Sequence, residues 1–432
     1  MFSLELSAEH VALREWAHGF AADVIRPAAH EWDEREETPW PILQEATKIG
    51  LYGFETMANL QADETGLSLP IVNEEMFWGD GGIGMAIFGT SLAVAGIFSA
   101  GTPEQMVEWI PQCYGDATEV TAAAFCSSEP EAGSDVAAMR TRAVYDEVSD
   151  EWVVNGQKAW ATNGGIASLY VVQAVVDSDL GSRGQAAFVI PAGTKGLGAA
   201  KKLKKHGLRA SNTADIFFDH VRVPGVNLLG GKEKLDARLA RAREGLGGGG
   251  QAAMATFELT RPVVASQAIG IARAAYEYAL EYAKGRVVFG RPIIENQSIA
   301  FMLADMLTEI DAARLLVWRA AWMGRNQVPF ATGEGSMSKL KAGRVAVHAT
   351  ERAMQILGGA GYSREYPVER MHRDAKIYDI FEGTEQIQQL VIARAISGGA
   401  HPLAGLRFRP RWVRTGGHDT DPASRRHQGF AR

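Results

Sequence analysis

From residue 7 to about residue 120 the apolar positions recur at helical spacing. Val11, Leu13, Trp16 and Phe20 lie near a 3.6-residue period, and Ser7 stands where an N-cap would accept a backbone N–H. Pro27, the Thr38-Pro39 pair and Pro103 punctuate this segment. Near Val120 the pattern changes, and the apolar runs 144–145, 152–154, 170–176, 187–190 and 216–218 predict strands. Between the second of these and Trp160, Asn155-Gly156 predicts a tight hairpin turn, because both central positions of a type I′ turn need positive φ. Val223-Pro224-Gly225 closes the strand region.

The charged run from Gly230, ending on Gly247-Gly248-Gly249-Gly250, predicts a mobile or partly helical connection. Helical spacing resumes near Gln251 with Val264, Ala268, Ile271, Ala275, Tyr278 and Tyr282, and long helices are expected over 297–325 and 336–357. No repeat of solenoid length is visible. The order helical, strand, helical argues for segregated units: a helical domain over 1–120, a β domain over 121–235, a helical bundle over 251–399 and an Arg-rich tail over 400–432. Residues 401–432 hold seven Arg and two Asp, a local charge of +5.

Between Asp80 and Glu104 no charged residue occurs, long enough for a membrane span. The stretch is rich in Gly, Thr and Ser and has no flanking cluster of Lys or Arg, so a buried core helix is expected instead.

Composition narrows the function classes. Hydrophobic residues at 46% and charged residues at 22% of 432 describe a chain that folds into more than one unit. With 44 basic against 51 acidic side chains, the net charge of -7 offers no global attraction to nucleic acid. Cys113 and Cys126 are too few for a disulfide framework, and the N-terminus lacks the pattern of a secretory signal, which together predict a reducing, cytoplasmic setting. None of the ten His falls in a metal-ligand array, so no metal is assigned. Two Gly patterns, 79–84 and 245–250, match the dinucleotide fingerprint in letters only. Neither follows an apolar strand, which argues against a nicotinamide-binding Rossmann unit. The run Lys201-Lys202-Leu203-Lys204-Lys205-His206 reads as a solvated loop.

The stretch Phe125-Cys126-Ser127-Ser128-Glu129-Pro130-Glu131-Ala132-Gly133-Ser134-Asp135 combines hydroxyls, small residues and a Pro where a strand gives way to a loop. Ser128 and Ser134 with nearby backbone N–H groups can hold a flat polar ring and a phosphate. This stretch, with Asn155-Gly156-Gln157-Lys158-Ala159-Trp160-Ala161-Thr162-Asn163-Gly164, resembles the FAD-binding signatures of the acyl-CoA dehydrogenase family. The resemblance spans residues 1 to 400 and rests on four separated motifs in the family's order.

It implies FAD contacts at Phe125, Ser127, Ser128, Gly133 and Ser134, with Ser134 also meeting substrate. Trp160 would stack on the isoalloxazine and Thr162 would meet its N5 edge. Arg286-Val287-Val288-Phe289-Gly290 and Gln297 resemble the segment that reaches across a dimer interface to the FAD pyrophosphate and adenosine, where Arg286, Phe289 and Gln297 are the implied contacts. Gln355 to Gly361 resembles a second adenosine-side segment, implying Gln355 and Gly359. Phe381-Glu382-Gly383-Thr384-Glu385-Gln386 resembles the segment of the catalytic base. A dry pocket of Ile377, Tyr378, Ile380 and Phe381 would raise the Glu382 carboxyl toward the acidity of the carbon it deprotonates. Thr384 and Gln386 are implied FAD contacts. Phe257, Glu258, Arg261, Gly383 and Arg394 are implied substrate contacts. The position that carries the base in some members falls on Thr260, which cannot serve, leaving Glu382 as the matching candidate.

The implied fold is α+β and multidomain: an N-terminal all-α domain, a central β-barrel-like domain and a C-terminal four-helix bundle. The implied activity is FAD-dependent dehydrogenation of an acyl-CoA to a trans-2-enoyl-CoA, a step of fatty acid β-oxidation. Electron-transferring flavoprotein is the expected acceptor and a homotetramer, a dimer of dimers, the expected assembly. An acyl-CoA oxidase, a flavin monooxygenase or a non-catalytic helical scaffold on the same fold are the alternatives. The chain departs from the family at Phe381, commonly Tyr, and in the long connection over 231–250. Gly84 and Phe88 are candidates for the floor of the acyl pocket, whose length the sequence leaves open.

Overall fold

A computed structural model describes residues 5–116, 118–246 and 249–397, with 249–259 described as backbone alone. The Arg-rich tail and the side chains of Phe257 and Glu258 lie outside the described residues.

The N-terminal region is helical: α1 (Ala8–Phe20), a π-helical turn (Ala21–Ile25), α2 (Arg26–Arg35), α3 (Trp40–Lys48), α4 (Phe54–Ala62), α5 (Ser68–Gly79), α6 (Gly81–Phe88), α7 (Ser91–Ala100) and α8 (Pro103–Tyr114). Ser7 caps α1 by accepting the His10 N–H, as its position predicts. Thr102 and Gln105 satisfy each other's backbone N–H in a capping box on α8. The uncharged run after Asp80 is split into α6 and α7. Residues 81–100 are long and apolar enough to cross a membrane by length and composition, and 61% of that window is buried inside the protein. Gly79, Gly81 and Gly84 pack helices: added Cβ atoms would lie 2.9 Å from Ile25, 2.9 Å from Asp374 and 3.0 Å from Phe77.

Seven strands follow: β1 (Ala123–Cys126), β2 (Arg142–Asp146), β3 (Glu151–Thr162), β4 (Leu169–Val175), β5 (Gln185–Pro191), β6 (Leu197–Ala199) and β7 (Thr213–Pro224). They form one curled, mixed sheet ordered β1-β4-β2-β3-β7-β6, with β5 on β4. The runs predicted as strands all fall on it, apart from Val176, just past β4. The predicted hairpin turn at Asn155-Gly156 is absent. Both residues lie inside β3, where the pairing with β7 shifts register between Val154 and Gly156, and the chain reverses over 147–150 instead. Gly156 at φ 146° lets β3 pass close to Thr141, whose Cα would be 2.7 Å from an added Cβ. Its conformational freedom serves a bulge, not a turn.

The connection holds a helix, α9 (Lys232–Arg243), whose Leu235 and Leu239 enter the core of the sheet. Then come α10 (Gly249–Gly285), a small hairpin of β8 (Val287–Val288) and β9 (Arg291–Pro292), α11 (Gln297–Arg325), α12 (Glu334–Leu357), α13 (Pro367–Ala375) and α14 (Glu385–Ile396).

One apolar core runs through both helical regions, from Ala17 and Phe77 to Ile269 and Tyr378. Charged pairs also cross between them. Glu74 of α5 binds Arg273 of α10 and Arg314 of α11, Asp80 binds Arg370 of α13, and Asp33 of α2 binds Arg373. The lysine run over 201–206 is not simply solvated. Lys202 Nζ is held by the Glu36 and Arg209 carbonyls, while Lys205 Nζ donates to the Ser211 carbonyl and Thr213 Oγ1, and burial pulls Lys205 down to about 7. Backbone carbonyls in this crossing loop recruit these ammonium groups as donors. Cys113 and Cys126 are free and buried, and burial pushes both thiols up to about 12.

Candidate active site

β1, which carries Phe125, delivers the chain into the loop that holds four further predicted flavin contacts, Ser127, Ser128, Gly133 and Ser134. Phe125 packs against Gly96 of α7, and Ser127 Oγ donates to Gln173 Oε1 on β4 at 2.7 Å. The loop is tied to β3 by the Ala159 N–H on the Ser128 carbonyl (2.8 Å) and by Lys158 Nζ on the Ser127 carbonyl (3.0 Å). Lys158 also reaches Glu129 Oε1 at 2.9 Å, with both side chains buried. The Glu129 carboxylate accepts the Arg140 and Thr141 N–H groups as well. Burial alone would raise the Glu129 carboxyl, but these partners hold it below its ordinary value. Past this anchor, Ser134 is exposed and Gly133 faces open space.

Trp160 follows two residues after Lys158, where the β3–β7 register shifts again between Lys158 and Ala161. The irregularity puts Trp160 at φ 61° and leaves it 65% exposed. Thr162, half-buried, sits against Gly89 at the end of the same strand. The structure thus brings the 127–134 loop, Trp160 and Thr162 onto one stretch of the sheet. Sequence reasoning missed the Lys158–Glu129 pair; the available signal was a lysine alternating inward among apolar strand positions.

The second cluster is the turn before α14. Tyr378 is buried and meets Phe381 edge to face at 5.0 Å, while Ile377 is half-buried. Ile380 is 51% exposed and does not join the predicted water-excluding wall, because the turn aims it outward. Glu382 is not helical: it stands at φ 53° and Gly383 at φ 86°, a left-handed pair that reverses the chain before Thr384 caps α14 by accepting the Ile387 N–H. Burial raises the Glu382 carboxyl, and Lys339 and then Arg261 pull it back in part. Arg261 is buried, donates to Ser336 Oγ at 2.5 Å, and is pulled down to about 10 by burial against the attraction of Glu382.

The remaining predicted positions lie on the surface. Arg286, Gln297, Gln355 and Gly359 are exposed, as are Gln386 and Arg394. Phe289 and Gly290 form the turn between β8 and β9 with φ 53° and 82°, which presents the Phe289 ring 97% exposed. Gln386 lies on the first turn of α14, next to the Glu382 turn, whereas Arg286, Phe289, Gln297, Gln355 and Gly359 are displayed outward.

The β-sheet cluster fits a flavin. An aromatic face displayed on a strand irregularity, beside hydroxyls and a loop held rigid by a buried ion pair, is what a flat, polar-edged ring requires. Among the described residues no group of His, Cys, Asp and Glu could hold a metal ion.

Three family profiles match in sequence: acyl-CoA dehydrogenase N-terminal domain over residues 7–115, middle domain over 124–221 and C-terminal domain over 247–397. An acyl-CoA dehydrogenase of Bacillus subtilis (strain 168) is 38% identical over 399 residues, 92% of this chain and 100% of that protein. The chain belongs to the acyl-CoA dehydrogenase family. It is therefore of a class of FAD-dependent oxidoreductases, and its helical, curled-sheet and helical regions are the acyl-CoA dehydrogenase fold. The butyryl-CoA dehydrogenase of Megasphaera elsdenii superposes with a TM-score of 0.81 at 34% identity, covering 92% of this chain and 100% of its own. A chain from a structure described as the electron transferring flavoprotein of Acidaminococcus fermentans gives 0.80 at 33%, covering 91% and 99%.

Proposed function

We infer that this acyl-CoA dehydrogenase removes the α-proton of an acyl-CoA thioester with Glu382 as the β-hydride leaves, yielding a trans-2-enoyl-CoA. The observation that carries this reading is Glu382 in its left-handed turn, half-buried, with burial raising its carboxyl against the pull of Lys339 and Arg261. Bound FAD supplies the hydride acceptor. Trp160 would present its face to the flavin ring and Thr162 its hydroxyl to the ring edge, while Ser127, Ser128, Gly133 and Ser134 line the loop beneath. Arg286, Phe289, Gln297, Gln355 and Gly359, displayed outward, would meet the FAD of another subunit. Thr384 and Gln386 would complete the flavin contacts, and Phe257, Glu258, Arg261, Gly383 and Arg394 the acyl-CoA contacts.

A homotetramer accounts for the outward display and for α11, where Phe301, Leu315 and Trp322 expose apolar side chains at intervals of fourteen and seven residues along one face. Electron-transferring flavoprotein is the acceptor we favour, and the two buried free thiols support a cytoplasmic, reducing setting.

The experiment is anaerobic mixing of the purified flavoprotein with short, medium, long, branched and steroid acyl-CoAs, followed by absorbance. Glu382→Gln should keep its flavin bands and lose substrate bleaching by at least about 100-fold. Bleaching at the wild-type rate removes Glu382 as base. Hydrogen peroxide released in air with full turnover would turn the reading to an oxidase.

A further inference from the structure

Lys339 is one of the largest side chains sealed inside the protein, 1% exposed on α12. Its ammonium donates to the Gly383 carbonyl at 2.9 Å. Gln388 Nε2 donates to the same carbonyl and to that of Glu382, each at 2.9 Å. The left-handed pair Glu382-Gly383 is therefore gripped at both of its carbonyls. For Glu this backbone conformation is uncommon and persists where the surroundings over-determine it.

A neutral donor would satisfy the Gly383 carbonyl equally well, whereas burying an ammonium is costly unless its charge meets an opposite one. The opposite charge that acts on it most is Glu382, whose backbone adjoins the carbonyl that Lys339 holds. Burial pulls Lys339 down to about 8 while Glu382 and Asp379 oppose it, and Lys339 is the largest influence resisting the upward push on Glu382. Asp379, on the turn over 376–379, is paired with Lys376. Glu385, at the start of α14, is paired with Arg344. Arg261 reaches the region from α10 and donates to Ser336, one turn before Lys339 on α12. Positive charge on Glu382 thus comes first from Lys339 and second from Arg261.

We propose that Lys339 is a positioning residue for Glu382: it fixes the left-handed turn through the Gly383 carbonyl and supplies from α12 the charge that favours the ionised form of the half-buried base. The proposal rests on the reading of Glu382 as the base.

Three variants of the flavoprotein separate its parts. K339Q keeps a donor for Gly383 without charge, K339M keeps neither, and K339R keeps the charge. Flavin content, KM and the pH dependence of kcat/KM are read for each. In K339Q the flavin and KM should be retained, and the acid limb of kcat/KM should move up by about one pH unit. The loss is then about tenfold on the limb and vanishes on the plateau. K339R should keep the wild-type limb, and K339M should lose plateau rate as well. A K339Q limb coincident with wild type overturns the proposal, since a merely structural lysine lowers the rate evenly at every pH. If K339M does not accumulate as folded flavoprotein, K339Q and K339R carry the comparison. Glu382→Gln keeps the two failures apart. Full bleaching by that variant removes the base and Lys339 with it, whereas an inert Glu382→Gln beside an unshifted K339Q removes Lys339 alone.

Discussion

Lys158 on β3 and Glu129 in the loop after β1 form a buried ion pair, Nζ to Oε1 2.9 Å, that couples the exposed Trp160 to the loop carrying Ser127 and Ser134. Removing one partner leaves the other buried and uncompensated. Lys158→Met or Glu129→Gln should cost about 3–5 kcal/mol in denaturant unfolding and reduce flavin occupancy together with it. Because the folded Glu129 carboxyl lies below its unfolded value, its contribution is present above the unfolded value and disappears as pH falls through the folded one. The wild-type protein should lose this increment on acidification and Glu129→Gln should not.

Trp160 invites the opposite test. A side chain this exposed contributes little to folding, so Trp160→Ala should change unfolding stability by no more than about 0.5 kcal/mol. If its face receives the flavin, the same variant should bind FAD about two- to tenfold more weakly, read by titrating the apoprotein and following flavin fluorescence. A large drop in melting temperature with unchanged FAD affinity would make Trp160 a structural residue.

Asp374 on α13 is buried beside Asp80, accepts the Leu208 N–H at 2.6 Å, and is raised by burial and then by the Asp80 charge. Arg370 binds Asp80, not Asp374, at 3.0 Å. The folded Asp374 therefore holds a proton over a range where the unfolded chain has released it. Stability must fall as pH rises from the ordinary aspartate value toward the folded one. Asp374→Asn keeps an acceptor for Leu208 and should flatten that slope in urea unfolding measured between pH 5 and 8, by about 1.4 kcal/mol for each pH unit of the wild-type displacement.

Gly270 marks the crossing of α10 over α5, where an added Cβ would lie 2.3 Å from the Glu74 carbonyl and 2.9 Å from the Trp78 nitrogen. Gly270→Ala should destabilise by about 1–3 kcal/mol, because backbone cannot yield as a side chain can. Gly285→Ala, at the far end of the same helix with nothing within 4 Å, is the control and should be nearly neutral in thermal melting.

What was legible in the chain follows from how local each determinant is. Periodicity located α11 and α12 to within two residues, and Ser7 announced its own cap, because helix patterns and caps are written within a few positions. Asn155-Gly156 misled because positive φ serves bulges as well as turns, and only the partner strand decides between them. Lys202 reads as solvated because one of its acceptors, the Glu36 carbonyl, lies 166 positions away, and Lys205 because its acceptors, the Ser211 carbonyl and Thr213 Oγ1, are reached only once the loop folds back on itself. At the site, Glu382 was found through its neighbours in the motif. Lys339, 44 positions from the Gly383 carbonyl it binds, left no local mark.

The ion pairs that join the first helices to the last also set an order on biosynthesis. Asp33 and Arg373 are separated by 340 positions, with the whole β-sheet between them. A ribosome that has released the first 114 residues has released helices whose apolar faces and carboxylates still lack their partners. The sheet can close its own core while it waits, since its strands pair among themselves. The N-terminal helices cannot, and their burial is completed only when α13 emerges. The N-terminal region is thus the first part made and among the last to become native, and a message truncated before residue 367 should yield a protein that chaperones retain.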